Sequence, residues 1–350
     1  MHALHRLPLL VVSGLLLAAS ASAAERAPLR EYDVLRAFPP GRVAGLHVGD
    51  KPDAKGFTGG NRANGFWIES GPQRGSCRGV IAAVVTDDLA LADDCWRGIE
   101  MAFSHQRADG GFDAIVKPNG NSSREGGAAV ETAYFFLQEL GRMILVIRQS
   151  PHEAHFRERL AALEPKLRRA CDFILAGYDT IIPKVGHTVN RVIIAAKAFG
   201  TCGLVLKDER MIAASRRLIA HALTLRDAEG VFIERGGRDS SYNVVSILFG
   251  QVLALHLPLP EFEAALPAAV KWQLTRILPD GDVDASGNTR TGVGLEADPF
   301  SGKAKNVNYT EVAMALFLYG TIHQDKEVLA AAERVYGHIQ KNRAPAPAKS

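Results

Sequence analysis

Gln106 to Phe112 reads Q-R-A-D-G-G-F, Leu225 to Phe232 reads L-R-D-A-E-G-V-F, and Leu278 to Val283 reads L-P-D-G-D-V. Each stretch follows a segment of helical apolar spacing and puts an acidic residue, a glycine and an apolar residue into a turn. Recurrence of one helix-turn unit is the mark of a repeated helical architecture. The intervening segments fit. Val130, Ala133, Tyr134, Leu137, Leu140 and Ile144 form one apolar stripe, and Leu160, Leu163, Leu167, Ala170 and Ile174 form the next. Pro165 falls inside the second stripe, where a kink or restart is expected. Val189, Val192, Ala196 and Phe199 continue the series. Asp208 is the expected N-cap of a helix through Leu223, and Ser240 or Ser241 of one holding Val244, Ile247, Leu248 and Leu255. Helices near 262–277, 307–321 and 326–341 complete the run. Alternating strand patterns are almost absent, so the expected fold class is all-α, with sequential helices packed as antiparallel pairs.

Working outward, residues 24–75 are rich in Gly, Pro and Asn, as in Phe57-Thr58-Gly59-Gly60-Asn61, and read as a loop-rich lead-in. The helical period is expected from about residue 92. Before the lead-in, His5 and Arg6 precede an apolar run from Leu7 to Ala19 and then Ser20-Ala21-Ser22-Ala23. That order reads as an export signal over residues 1–23. The apolar run is short for a span, which needs about 20 residues. A single helical domain over 24–341 and a disordered Pro/Ala/Lys-rich tail over 342–350 are expected. No later segment reads as a membrane span, so stable membrane insertion is not expected, and the location is periplasmic or secreted.

The formal net charge is +3, and Arg6 is the only charged side chain in residues 1–23, counting His as neutral. So mild a charge, with no basic run, argues against nucleic acid as a partner. It is compatible with an acidic sugar polymer, for which a local basic cleft suffices. An even cysteine count in an exported chain favours disulfides. Cys77, Cys95, Cys171 and Cys202 allow three pairings, of which Cys77 with Cys95 is the expected one. No C-x-x-C or His-rich spacing suggests a metal, and no cofactor is called for.

The turn at Asp109–Phe112 and the stretch from Gly230 to Tyr242 (G-V-F-I-E-R-G-G-R-D-S-S-Y) resemble the inter-helix turns of α/α-toroid carbohydrate-active enzymes, polysaccharide lyases in particular. The resemblance covers roughly the helical two-thirds of the chain and rests on short motifs. It implies an (α/α)n toroid, complete or incomplete, and an enzyme acting on polysaccharide, most simply a lyase cleaving a uronate-containing polymer by β-elimination. Q-x-x-D-G-G-F also occurs in terpene cyclases and prenyltransferase subunits, whose acid-rich motifs are not evident here.

Elimination next to a uronic acid needs a group that neutralises the carboxylate, a base and an acid. The resemblance implies Asn or Arg, His or Tyr, and Tyr for these tasks. Four clusters supply such residues. Gly186 to Arg191 contains His187, Asn190 and Arg191, with His187 and Arg191 four apart and so on one helix face. Glu234 to Tyr242 gathers Glu234, Arg235, Arg238, Asp239 and Tyr242 around a Gly pair. Here Tyr242 is the first choice for proton transfer and Arg238 for carboxylate neutralisation; the plainer alternative has Asp239 or Ser240 capping a helix and Tyr242 packing its first turn. Asp280 to Asp284 has the alternating spacing of a calcium loop, yet Ala285 and Thr291 stand where an EF-hand needs Gly and Glu. A solvated turn is expected, with Arg290 and Asn288 in reach of substrate. Lys305 to Glu311 offers Asn308 and Tyr309 at another helix start. Tyr242, His187 and Arg238 are thus the expected catalytic set, and Asn190, Arg191, Arg235, Asp239, Glu234, Asn308, Tyr309 and Arg290 the expected substrate-binding set. Two further readings stay open: an inverting glycoside hydrolase using two of Glu234, Asp239, Asp109 and Glu131, and a non-catalytic protein that binds or assembles polysaccharide.

Overall fold

The computed structural model describes residues 29–292 and 294–343. The expected signal segment, and the tail beyond Arg343, lie outside them. Among the described residues there are fourteen α-helices and no strands, only isolated β-bridges.

Five helical hairpins form the body. Their first members are α4 (Arg74–Val85), α6 (Gly126–Gln149), α9 (Val189–Leu206), α11 (Ser240–Ala254) and α13 (Tyr309–His323). Their second members are α5 (Leu89–Ser104), α7 (Glu153–Ala176), α10 (Glu209–Leu223), α12 (Pro260–Thr275) and α14 (Lys326–Asn342). The first members pack in the order α4, α6, α9, α11, α13, each also against its own partner. Two short lead-in helices, α1 (Glu31–Arg36) and α2 (Arg42–His47), touch both α13 and α4 and bridge the gap between them. The result is an α/α toroid of five hairpins closed by α1 and α2.

The sequence explains which helices go inside. Every residue of α13 from Val312 to Gly320 is buried, as is every residue of α9 from Val192 to Gly203. Helices apolar all round bury all round. The second members α10 and α14 instead carry one apolar stripe and an exposed charged face. By length and composition α9 is apolar enough to cross a membrane, contrary to the expectation that no such segment exists; 83% of it is buried inside the fold. The lead-in also differs from expectation. A full helix, α4, starts at Arg74, and α3 (Gly59–Asn64) precedes it. Pro165 causes no restart, because α7 runs straight through it. Pro165 and Ala161, whose carbonyl loses its helical partner, both sit on the exposed face, where the lost bond is open to solvent.

The recurrent turns are one structure used three times. In each, the chain leaves an outer helix and folds back through an antiparallel bridge: Gln106 with Phe112, Arg226 with Phe232, Ile277 with Val283. The backbone bonds repeat in register. Asp113 N–H donates to His105 O, Ile233 N–H to Leu225 O and Asp284 N–H to Arg276 O, at 2.8–2.9 Å. Gly110 and Gly281 close their turns at φ +91° and +86°, and a Cβ there would lie 2.2 Å and 2.0 Å from the backbone oxygens of Arg169 and Arg334. Only glycine meets both demands. The apolar residue of each turn, Phe112, Phe232 or Val283, is buried and ties the turn to the core.

All four cysteines are buried free thiols, so the expected Cys77–Cys95 bridge is not formed. Cys95 Sγ packs against the Gly79 face of α4. Cys77 lies two residues away, on another side of that helix. The thiol neighbours are instead Cys171 of α7 and Cys202 of α9, the latter donating to Leu137 O at 3.5 Å.

Candidate functional site

The N-terminal halves of the five inner helices converge on three adjoining cavities of about 490, 320 and 450 Å³. Arg74, in the first turn of α4, lines all three. Asn308 and Glu311 of α13 are shared by the first two, and Phe135 of α6 and Arg191 of α9 by the second and third. Together they form one cleft at the end of the toroid where the inner helices begin, with Asn190, Ser241 and Tyr242 in its middle part.

Arg74 is a guanidinium there that holds no carboxylate. It is half-buried, donates from Nη1 to Gly71 O at 3.0 Å, and lies 5.5 Å from the Phe135 ring centroid. Among the described residues no carboxylate comes within ion-pairing distance of it. Burial lowers its pKa, followed by repulsion from Arg78. Beside it, burial raises the pKa of Glu311, against the pull of Arg78 and Arg74. Asn190 is 4% exposed, and its buried amide oxygen has no partner. An orphaned acceptor in the same cavity as a guanidinium without a carboxylate is an unfinished hydrogen-bonding site. Arg191 is less available, being paired with Glu131 at 2.9 Å.

Tyr242 reaches the cleft from the first turn of α11. Burial pushes its phenol up to about 12, so it stays protonated at neutral pH. Its position is over-determined. Asp239 caps α11 by accepting from the Ser241 and Tyr242 amides at 3.0 and 3.1 Å. The same carboxylate accepts from Arg290 N–H and Thr291 N–H, both at 2.9 Å, and from Thr291 Oγ1 at 3.0 Å. It thereby pins the loop whose Arg290 guanidinium stacks 4.0 Å from the Tyr242 ring centroid. Arg290 is 1% exposed and ion-paired to Glu234 and Glu296. Burial raises the pKa of Glu234, against the attraction of Arg290. Asp239, Glu234 and Arg290 therefore form a buried frame behind Tyr242, although Arg290 also lines the cleft.

The structure does not bring the expected catalytic set together. Tyr242 lines the cleft; His187 and Arg238 do not. His187 is exposed, two residues before α9 begins, so no helix aligns it with Arg191. Arg238 is taken by Asp227 and by Glu229 (2.9 Å), and its guanidinium lies 5.7 Å from the Trp272 ring centroid. Arg235 lines the third cavity while paired with Glu296 at 2.5 Å. Asn308 lines the cleft as the N-cap of α13. Tyr309 turns away, donating its hydroxyl to Asp282 and stacking on His338. In the Asp280–Asp284 turn, Asp280 accepts from the Asp282 amide and Asp284 pairs with Arg276 at 3.1 Å. Among the described residues no group of three His, Cys, Asp or Glu is placed to hold a metal. Of the four carboxylates considered for hydrolysis, only Glu131 lines the cleft.

Arg74 and Glu311 were missing from the expected set. Arg74 lies in the stretch read as a loop-rich lead-in, and Glu311 stands at the end of a quoted cluster without a role. Their position in the first turn of inner helices is the signal that marks them.

No family model and no curated protein matches this chain. Solved structures do. An unsaturated glucuronyl hydrolase mutant from Streptococcus agalactiae aligns with a TM-score of 0.51 and 9% identity, over 91% of this chain and 80% of that one. A cellobiose 2-epimerase from Bacillus thermoamylovorans aligns with a TM-score of 0.50 and 14% identity, over 90% of this chain and 88% of that one. At such identities the likeness is one of fold: this chain has the α/α toroid found in these carbohydrate-active enzymes.

Proposed function

We propose that this protein is an exported enzyme that cleaves an acidic polysaccharide by β-elimination in the cleft around Arg74. The observation that carries the reading is Arg74 itself, a half-buried guanidinium with no carboxylate partner, lining the same cavity as Asn190, whose buried amide oxygen is orphaned. A guanidinium fork matches a carboxylate in two parallel hydrogen bonds, and such charge-assisted bonds are the strong ones. Neutralising a uronate carboxylate acidifies the neighbouring C–H, the first demand of elimination. Tyr242, protonated and held rigidly in the same part of the cleft, supplies a proton to the departing glycosidic oxygen. The fold is one on which a glucuronyl hydrolase is also built.

Elimination leaves a carbon–carbon double bond and an ultraviolet-absorbing product. The test is purified protein with alginate, pectate and glycosaminoglycans, followed by absorbance and by product mass. Absorbing oligosaccharides that vanish with Tyr242→Phe support the proposal; no absorbing product from any of them refutes it. One observation favours hydrolysis instead: burial raises the Glu311 pKa, as suits a general acid, and Glu131 lies across the adjoining cavity. Saturated products carrying an oxygen from water would decide for that reading.

A further inference from the structure

The cleft holds a second polar assembly, in its largest cavity, which none of the sequence clusters contains. His47 ends α2, and Asp50 follows in the adjoining 3₁₀ turn. His47 Nδ1 lies 2.8 Å from Asp50 Oδ2. Arg78 of α4 holds the same carboxylate from the other side, with Nη2 donating to Oδ1 at 2.8 Å and Nε to Oδ2 at 3.2 Å. His47 is 7% exposed and Asp50 8%, and both line the cavity with Arg74, Arg78 and Glu311. Burial opposes ionisation of Asp50, but attraction to Arg78 and the bond to His47 outweigh it and hold its pKa well below the usual carboxylate range. An ionised Asp50 accepts only, so Nδ1 is the ring nitrogen that donates to it and Nε2 is left on the other side of the ring. Among the described residues no group bonds that nitrogen.

We infer that His47 is the proton acceptor of the elimination, with Asp50 and Arg78 as positioning residues. This rests on the elimination reading above. The bond between hydrogen and the carbon next to the uronate carboxylate breaks, and His47 Nε2 takes the proton. The electron pair forms the new double bond as the glycosidic C–O bond breaks, and the departing oxygen takes the Tyr242 hydroxyl proton. The imidazolium then loses its proton and the phenolate regains one through solvent, which restores both groups with no other reactant.

Two measurements on the full chain test this. Side-chain nitrogen NMR of ring-labelled protein identifies His47 among the eleven histidines by its disappearance in His47→Gln. The neutral ring is expected as the Nδ1–H tautomer, the minor form of a free histidine; an Nε2–H tautomer overturns the inference without any assay of turnover. On a uronate polymer that the wild type cleaves, His47→Gln should lower kcat by about 10²-fold or more, the range of general-base catalysis, with KM little changed. Asp50→Asn should shift the tautomer and lower kcat. A His47→Gln variant that turns over at the wild-type rate overturns the base assignment alone. A wild type that acts on no acidic polymer overturns the elimination reading, and the base assignment with it.

Discussion

Replacing Asp239 with alanine should damage the protein far more than removal of an ordinary helix cap. Asp239 is fully buried and accepts five hydrogen bonds, two from the first turn of α11 and three from the loop at Arg290 and Thr291. Loss of an N-cap costs about 0.5–2 kcal/mol. The Arg290 and Thr291 amides are then left buried without acceptors, at about 1–3 kcal/mol each. The expected loss is about 3–8 kcal/mol, much of the roughly 5–15 kcal/mol that holds a typical domain. Urea unfolding followed by circular dichroism measures it. Asp239→Asn keeps one acceptor oxygen and should lose less. An Asp239→Ala protein within about 1 kcal/mol of wild type would refute the reasoning, and would show that the residue is free to serve substrate.

Three shorter predictions address other parts of the fold. Gly281→Ala combines a φ of +86° with a Cβ 2.0 Å from the Arg334 backbone oxygen, whereas Gly287→Ala at φ +73° meets nothing within 4 Å. The first should cost about 2–5 kcal/mol and the second about 1–2 kcal/mol, and equal melting temperatures would contradict the turn geometry. Burial raises the pKa of Glu139, but attraction to Lys197 and Arg142 more than reverses this and brings it to about 2. A carboxyl depressed on folding stabilises above its unfolded pKa, so stability should fall as pH drops from about 4.5 to about 2, by about 3 kcal/mol from this group; Glu139→Gln should flatten that limb, and an unchanged limb would count against the buried pair. Thiol labelling should find all four cysteines, and only after unfolding; fewer than four without reductant would restore the disulfide expectation.

The turns were legible in the sequence because a positive-φ glycine followed by a buried apolar residue leaves a local signature, and three copies reinforce one another. The cap at Asp208 and the helix it begins could be read for the same local reason. Helix α4 was not, because ten of its twelve residues are buried and no polar face marks its period. With α4 went Arg74 and Arg78, two of the arginines that line the cleft. Within the visible clusters, sequence could not tell a free guanidinium from a committed one. Arg238 is captured by Asp227 and Glu229 from the preceding turn, and Arg290 by Glu234 and Glu296. Those pairings depend on how loops fold back, as does the burial that turns Asp239 from a ligand candidate into a frame. Tyr242 was found because the first turn of α11 opens on the cleft, whereas Tyr309, at the equivalent start of α13, is drawn away to Asp282 and His338.

The central claim is that Arg74 receives a uronate carboxylate in a cleft built for elimination. The most direct measurement compares wild-type protein and Arg74→Gln on one uronate polymer and on the same polymer after chemical reduction of its carboxyl groups. The wild type should release absorbing products only from the carboxylated polymer, and Arg74→Gln should lose about 10²-fold or more of kcat/KM on it, the yield of a lost charge-assisted pair, while unfolding no more easily. Equal action on the reduced polymer, or an Arg74→Gln variant as active as wild type, would contradict the account.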